Sequence, residues 1–99
     1  VSANLQISSS GYATCFGRIV TKGTENDISI TVTLYRQSGK DWIRVDGWGN
    51  LKTGTNILNL QKSRSVEKGT YMVVVTGWVT PKEGEPESVR DTSDIITYQ

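Results

Sequence analysis

The chain has 99 residues, 11 Lys and Arg against 10 Asp and Glu, no His and a single Cys, giving a formal charge of +1. That length suits one domain over residues 1–99, burying about 65% of the unfolded surface, and without histidine a triad hydrolase or a zinc enzyme lacks its usual base and ligand. Balanced charge with no long like-charge run, and no apolar stretch of about 18 residues, argue against nucleic-acid binding and against membrane insertion.

With ten Gly, two Pro and no window rich in Ala, Leu or Glu, the chain offers no helix. It offers short alternating runs bounded by Gly, Asn, Asp or Ser, about ten residues apart, the pattern of a sandwich or barrel. The first run is Ala3–Ser9, with Leu5 and Ile7 on one face, and Gly11 separates it from a second at Tyr12–Lys22. Within the second, Cys15 has no internal partner and suits a small apolar side chain packed in a strand, with intermolecular pairing as the alternative. The turn Gly23-Thr24-Glu25-Asn26 leads to Asp27–Arg36, where Ile28, Ile30, Val32 and Leu34 share one face and Ser29, Thr31, Thr33 and Tyr35 the other.

A glycine-bearing loop at Gln37–Asp41 predicts a hairpin to the next strand, Trp42–Trp48. The segment Gly49–Asn56 is dense in turn formers, and Ile57–Lys62 is a fifth strand. Thr70–Thr80 carries Tyr71, Val73, Val75 and Val79 on one face and Met72, Val74 and Trp78 on the other, as a central strand would. Pro81 ends it, Lys82–Pro86 forms a polar hairpin tip, and a last strand covers Glu87–Tyr98. Seven strands without a helical crossover predict an all-β, two-layer antiparallel β-sandwich.

The segment Val66–Val75 resembles the penultimate strand of fibronectin type III domains, in which a Gly-x-Tyr sequence opens the strand. The resemblance implies an immunoglobulin-like or fibronectin type III-like layout, with Tyr71 as a structural tyrosine corner whose hydroxyl ties back to nearby backbone. The wider order of motifs is similar to that of small secreted β-sandwich proteins of Gram-positive, gut-type bacteria: Gly-Tyr-Ala, Leu-Tyr-Arg before Gly-Lys-Asp-Trp, Lys-Gly-Thr-Tyr, then Glu-Ser and a terminal Tyr. That similarity implies a secreted or cell-surface location. Two features depart from the families: the second strand has Phe16 where fibronectin type III has a tryptophan, and Cys15 lacks the immunoglobulin partner. Beginning at Val1 with neither an initiator Met nor an apolar leader, the chain suits a processed or trimmed product.

The aromatic residues are the candidate contacts. If Ile43, Val45 and Gly47 face the core, then Trp42, Arg44, Asp46 and Trp48 point outward together, the two indoles about 20 Å apart. A bulge at Asp46-Gly47 would instead reset the register and return one indole to the core. Trp78 falls on the outer face of its strand, and Tyr35 is a further candidate. The ligand-binding set is therefore Trp42, Trp48, Tyr35, Arg44 and Trp78, with neither catalytic nor metal-binding residues and no cofactor. Glu83, Glu85 and Glu87 fit a solvated loop tip better than a carboxylate dyad in a cleft, and no loop has the ligand spacing of a calcium site. The expectation is a binding module for a protein or glycan rather than an enzyme. The alternatives are a small bacteriocin-like or toxin-like effector, and an exposed edge strand joining two copies into a homodimer.

Overall fold

The alternating runs become two antiparallel sheets in the computed structural model, which describes residues 1–23 and 25–99. The strands are β1 (Ser2–Ile7), β2 (Tyr12–Val20), β3 (Asn26–Ser38), β4 (Asp41–Thr55), β5 (Ile57–Ser65), β6 (Gly69–Pro81), β7 (Glu87–Thr92) and β8 (Ile96–Tyr98). One sheet has the order β1-β2-β5, the other β4-β3-β6-β7, with β8 continuing the pairing along β6. Among the described residues no helix is long and apolar enough to cross a membrane. Thr24, in the turn expected between the second and third strands, lies outside the described residues.

Period-two alternation works because the two sheets bury their facing sides. Ile28, Ile30, Val32 and Leu34 of β3 lie in register with Val79, Gly77, Val75 and Val73 of β6. Leu5, Ala13, Cys15, Ile19, Leu58 and Leu60 close over them from the smaller sheet. Each large aliphatic side chain buried this way contributes about 1.5–3 kcal/mol. Both β3 and β6, of 13 residues each, have a neighbour on each side.

Tyr71 anchors the entry to β6. Its ring is 2% exposed, and its hydroxyl donates to the Glu67 carbonyl at 2.6 Å, four residues upstream. Tyr71→Phe should lose about 1 kcal/mol, the net worth of one hydrogen bond, and Tyr71→Ala about 3–5 kcal/mol because the ring goes too. Equal losses in urea melts would mean that the hydroxyl contributes nothing.

Two expectations need correction. The last strand is two strands, because Ser93 turns inward between them and takes over a step of the ladder. The Val73 N–H donates to Ser93 Oγ at 2.8 Å, the Ser93 hydroxyl donates to the Asp94 carbonyl at 2.9 Å, and the Ser93 N–H reaches the Val73 carbonyl at 2.8 Å. The turn formers at Gly49–Thr55 belong to β4, which runs on as a 15-residue edge strand because the long β3 supplies its ladder. It accommodates them through irregularities at two places. Val45 is extra between the pairs Leu34↔Asp46 and Tyr35↔Arg44, and Thr53 and Gly54 fall between Lys52 and Thr55, with Gly54 at φ 61°. The β3–β4 ribbon makes the molecule long, 47 × 26 × 17 Å, and its radius of gyration is 14.6 Å. About 12.6 Å is usual for this chain length.

Candidate functional site

The outer face of the larger sheet collects most of the candidate residues. In β3 the odd positions Ser29, Thr31, Thr33 and Tyr35 face away from the core, and registration across the sheet sets their neighbours. Trp78 lies between Ser29 on β3 and Ser88 on β7. These small side chains leave the indole 55% exposed, and Leu51, on the far side of Ser29, is 65% exposed. About 20 Å along β3, Tyr35 lies between Arg44 and Met72, with Trp42 opposite Gln37 beyond it.

Between these two ends the face is low. Gly47 and Gly49 on β4 stand opposite Thr33 and Thr31, and Thr76 on β6 completes the Thr31 row. The bare Cα of Gly47 lets Arg44 fold back along its own strand, since a Cβ there would meet Arg44 Nη2 at 2.6 Å. At the Trp78 end a depression of about 370 Å³ is lined by Ser29, Thr31, Thr76, Trp78, Ser88 and Arg90. Flat ends of indole, phenol and guanidinium around a floor of hydroxyls can stack and hydrogen-bond.

The expected outward quartet is divided by the Val45 bulge. Trp42 and Arg44 stay on the outer face with Tyr35. Past the extra residue the parity inverts, so Trp48 lies opposite Val32, half-buried against the core, and Asp46 lies opposite Leu34. Asp46 Oδ2 accepts from Arg64 Nη1 at 3.1 Å across the open edge of the sandwich, and its Oδ1 accepts from the Gly47 N–H at 2.8 Å. Trp48 therefore leaves the outward set and serves packing; the bulge lies at Val45, one residue earlier than Asp46-Gly47. In exchange, the β3–β6 register brings Trp78 onto the same face as Tyr35 and Trp42, which parity within β6 alone could not reveal.

Cys15 is fully buried and free. Burial, with the Asp46 charge adding and Arg64 opposing, pushes its thiol up to about 11 from 9.0. The native thiol should stay unreactive toward Ellman's reagent at pH 8 and react only as the protein unfolds. Because the native state holds this proton more tightly, its contribution to stability is complete below pH 9 and is lost as pH rises toward about 11. Cys15→Ala should therefore show a shallower alkaline decline in urea melts. A steady thiol reaction with the folded protein would contradict this.

Glu83, Glu85 and Glu87 are exposed, and Asp91 accepts the Ala3 N–H at 3.1 Å. Among the described residues no group of three or more Cys, Asp or Glu side chains could hold a metal ion. No protein-family model, curated protein or solved structure matches this chain.

Proposed function

We propose that this chain is a secreted or cell-surface interaction module, immunoglobulin-like or fibronectin type III-like in layout, that holds a partner on the outer face of β4-β3-β6-β7. The strand orders β1-β2-β5 and β4-β3-β6-β7, with β8 also on β6, and the Tyr71 corner support the layout, and the order of sequence motifs supports export. One observation carries the binding role: Trp78, the most exposed of the three indoles, shares a face with Tyr35, Arg44 and Trp42. Tryptophan, tyrosine, arginine and methionine are enriched in protein interfaces, and a tryptophan in such a place is a usual hot spot. The composition of this face favours a protein partner over a glycan. The face measures about 27 Å along the strands and about 15 Å across them, which suits a small, transient contact.

The test is a set of three alanine variants screened with the wild type against arrays of extracellular proteins and glycans. Trp78→Ala should change folding stability by less than about 0.5 kcal/mol, and Trp42→Ala, whose residue is half-buried on the outer face, by up to about 1 kcal/mol. Each should weaken the interaction about tenfold or more, in keeping with hot-spot truncations. Trp48→Ala, in contrast, should lose about 1–3 kcal/mol of stability through its packing. If the two outer variants keep every wild-type interaction at full strength, this assignment fails.

A further inference from the structure

The opposite side of the sandwich has a different chemistry. On the outer face of β1-β2-β5, Phe16 stands between Asn4 on β1 and Gln61 on β5, with Gln6 and Asn59 in the flanking rows. Phe16 is the only phenylalanine of the chain and is half-buried, while all four amides are exposed. A depression of about 300 Å³ lies over Phe16, Asn4, Gln6 and Gln61, at the small end of ligand sites.

Three features of this face go together. First, among its three central rows Arg18 is the one charged residue, although 21% of the chain is charged. Secondly, Asn is depleted in strands, yet Asn4 of β1 and Asn59 of β5 stand exposed here, where Thr would suit a solvated sheet better. Thirdly, each amide offers two donors and one acceptor, and among the described residues the only side-chain hydrogen bond on this face joins Thr14 to Ser63. The result is an apolar ring edged on both sides, at about 4.8 Å, by uncharged groups that can both donate and accept.

We infer that this face is a second binding site, independent of the Trp78 face, for a neutral polysaccharide. Its charge argues the occupant. A nucleic acid or polyanionic glycan needs several cations and finds one, and a protein needs clustered apolar anchors, whereas the exposed Tyr12 and Val20 lie at the two ends of β2, each about 13 Å along the strand from Phe16. A neutral sugar unit has an apolar C–H face to lie on Phe16 and hydroxyls that donate and accept, matching Asn4 and Gln61 on either side. An extended chain lying across Phe16 would continue over the flanking rows of Gln6 and Asn59.

The experiment is affinity electrophoresis of the whole protein in native gels containing a soluble β-glucan, a xylan or a galactomannan, with polygalacturonate as the anionic comparison. At least one neutral polymer should retard the wild type. Phe16→Ala and the double variant Asn4→Ala/Gln61→Ala should each weaken that retardation at least tenfold, and Trp78→Ala should migrate like the wild type. Thermal melts verify folding, and the double variant, which alters only exposed side chains, decides the matter if Phe16→Ala unfolds. The proposal is overturned if no neutral polymer retards the protein or if only polygalacturonate does. It is equally overturned if retardation is lost with Trp78→Ala or survives in the folded double variant. None of these outcomes bears on whether a protein partner binds the Trp78 face.

Discussion

Gly77→Ala should lower stability by about 3 kcal/mol, the upper part of the range for overpacked cores. The corresponding fall in Tm is roughly 12–20 °C for a domain of this size. Gly77 is on the core side of β6, opposite Ile30. A Cβ at this position would strike the backbone carbonyl oxygen of Ser29 and come within 2.5 Å of Ile19 Cδ1 on the other sheet. Ile19 could rotate its terminal carbon away. Ser29 O cannot move without breaking the β3–β6 ladder, so the two central strands must separate. Gly49→Ala is the natural comparison, since its nearest neighbour, Ile30 O, would lie at an ordinary 3.4 Å and its φ is not positive. Removing backbone freedom there should be neutral or stabilising by up to about 1 kcal/mol. Calorimetric melts of the two variants measure the difference, and a Gly77→Ala protein melting within a few degrees of the wild type would refute the argument.

A comparable loss is expected from Asn26→Asp, a change of one functional group. Asn26 is 5% exposed. Its Nδ2 donates to the carbonyls of Lys22 at 3.0 Å and of Gly23 and Thr55 at 3.1 Å, so two N–H groups serve three acceptors. The amide ties the connection before β3 to the end of β4. A carboxylate would instead present oxygen to three carbonyl oxygens, and a buried charge left unpaired costs about 3–5 kcal/mol. The native state of the variant would therefore favour the protonated acid, which still donates one hydrogen bond, and would raise its pKa. The sign follows: the penalty is smallest below the unfolded value of about 4 and grows as pH climbs through the raised native value. Asn26→Ala, which removes the donors without adding charge, should lose about 2 kcal/mol at every pH. Urea melts at pH 4 and pH 7 distinguish the two, and parallel behaviour of both variants would exclude the electrostatic account.

Alternation made the central strands legible. Ile28 to Leu34 and Tyr71 to Val79 announce their buried faces because both strands have a core on one side and keep an unbroken register. Gly39, with φ 63°, marks the hairpin turn, and Pro81 marks the end of β6. The edge strand was harder to read. Gly47, Gly49 and Gly54 in β4 carry the local signature of a turn, yet the backbone remains extended because β3 offers partners to nearly all of its length. Ser93 likewise looks like any strand residue until its hydroxyl is seen bonding the Val73 amide.

The candidate surfaces divide along the same line. The chain alone establishes an all-β protein, its main buried runs and the identity of its aromatic side chains. Folding decided which of those rings meet water together. Val45 inserts one residue and turns Trp48 inward while Trp42 stays out, the β3–β6 pairing aligns Trp78 with Tyr35, and the β1-β2-β5 pairing sets Phe16 between two amides. The reason is that alternation assigns faces only within an uninterrupted strand. One inserted residue inverts every later position, and whether a bulge forms, and which strands lie alongside, depends on hydrogen-bond partners distant in the chain.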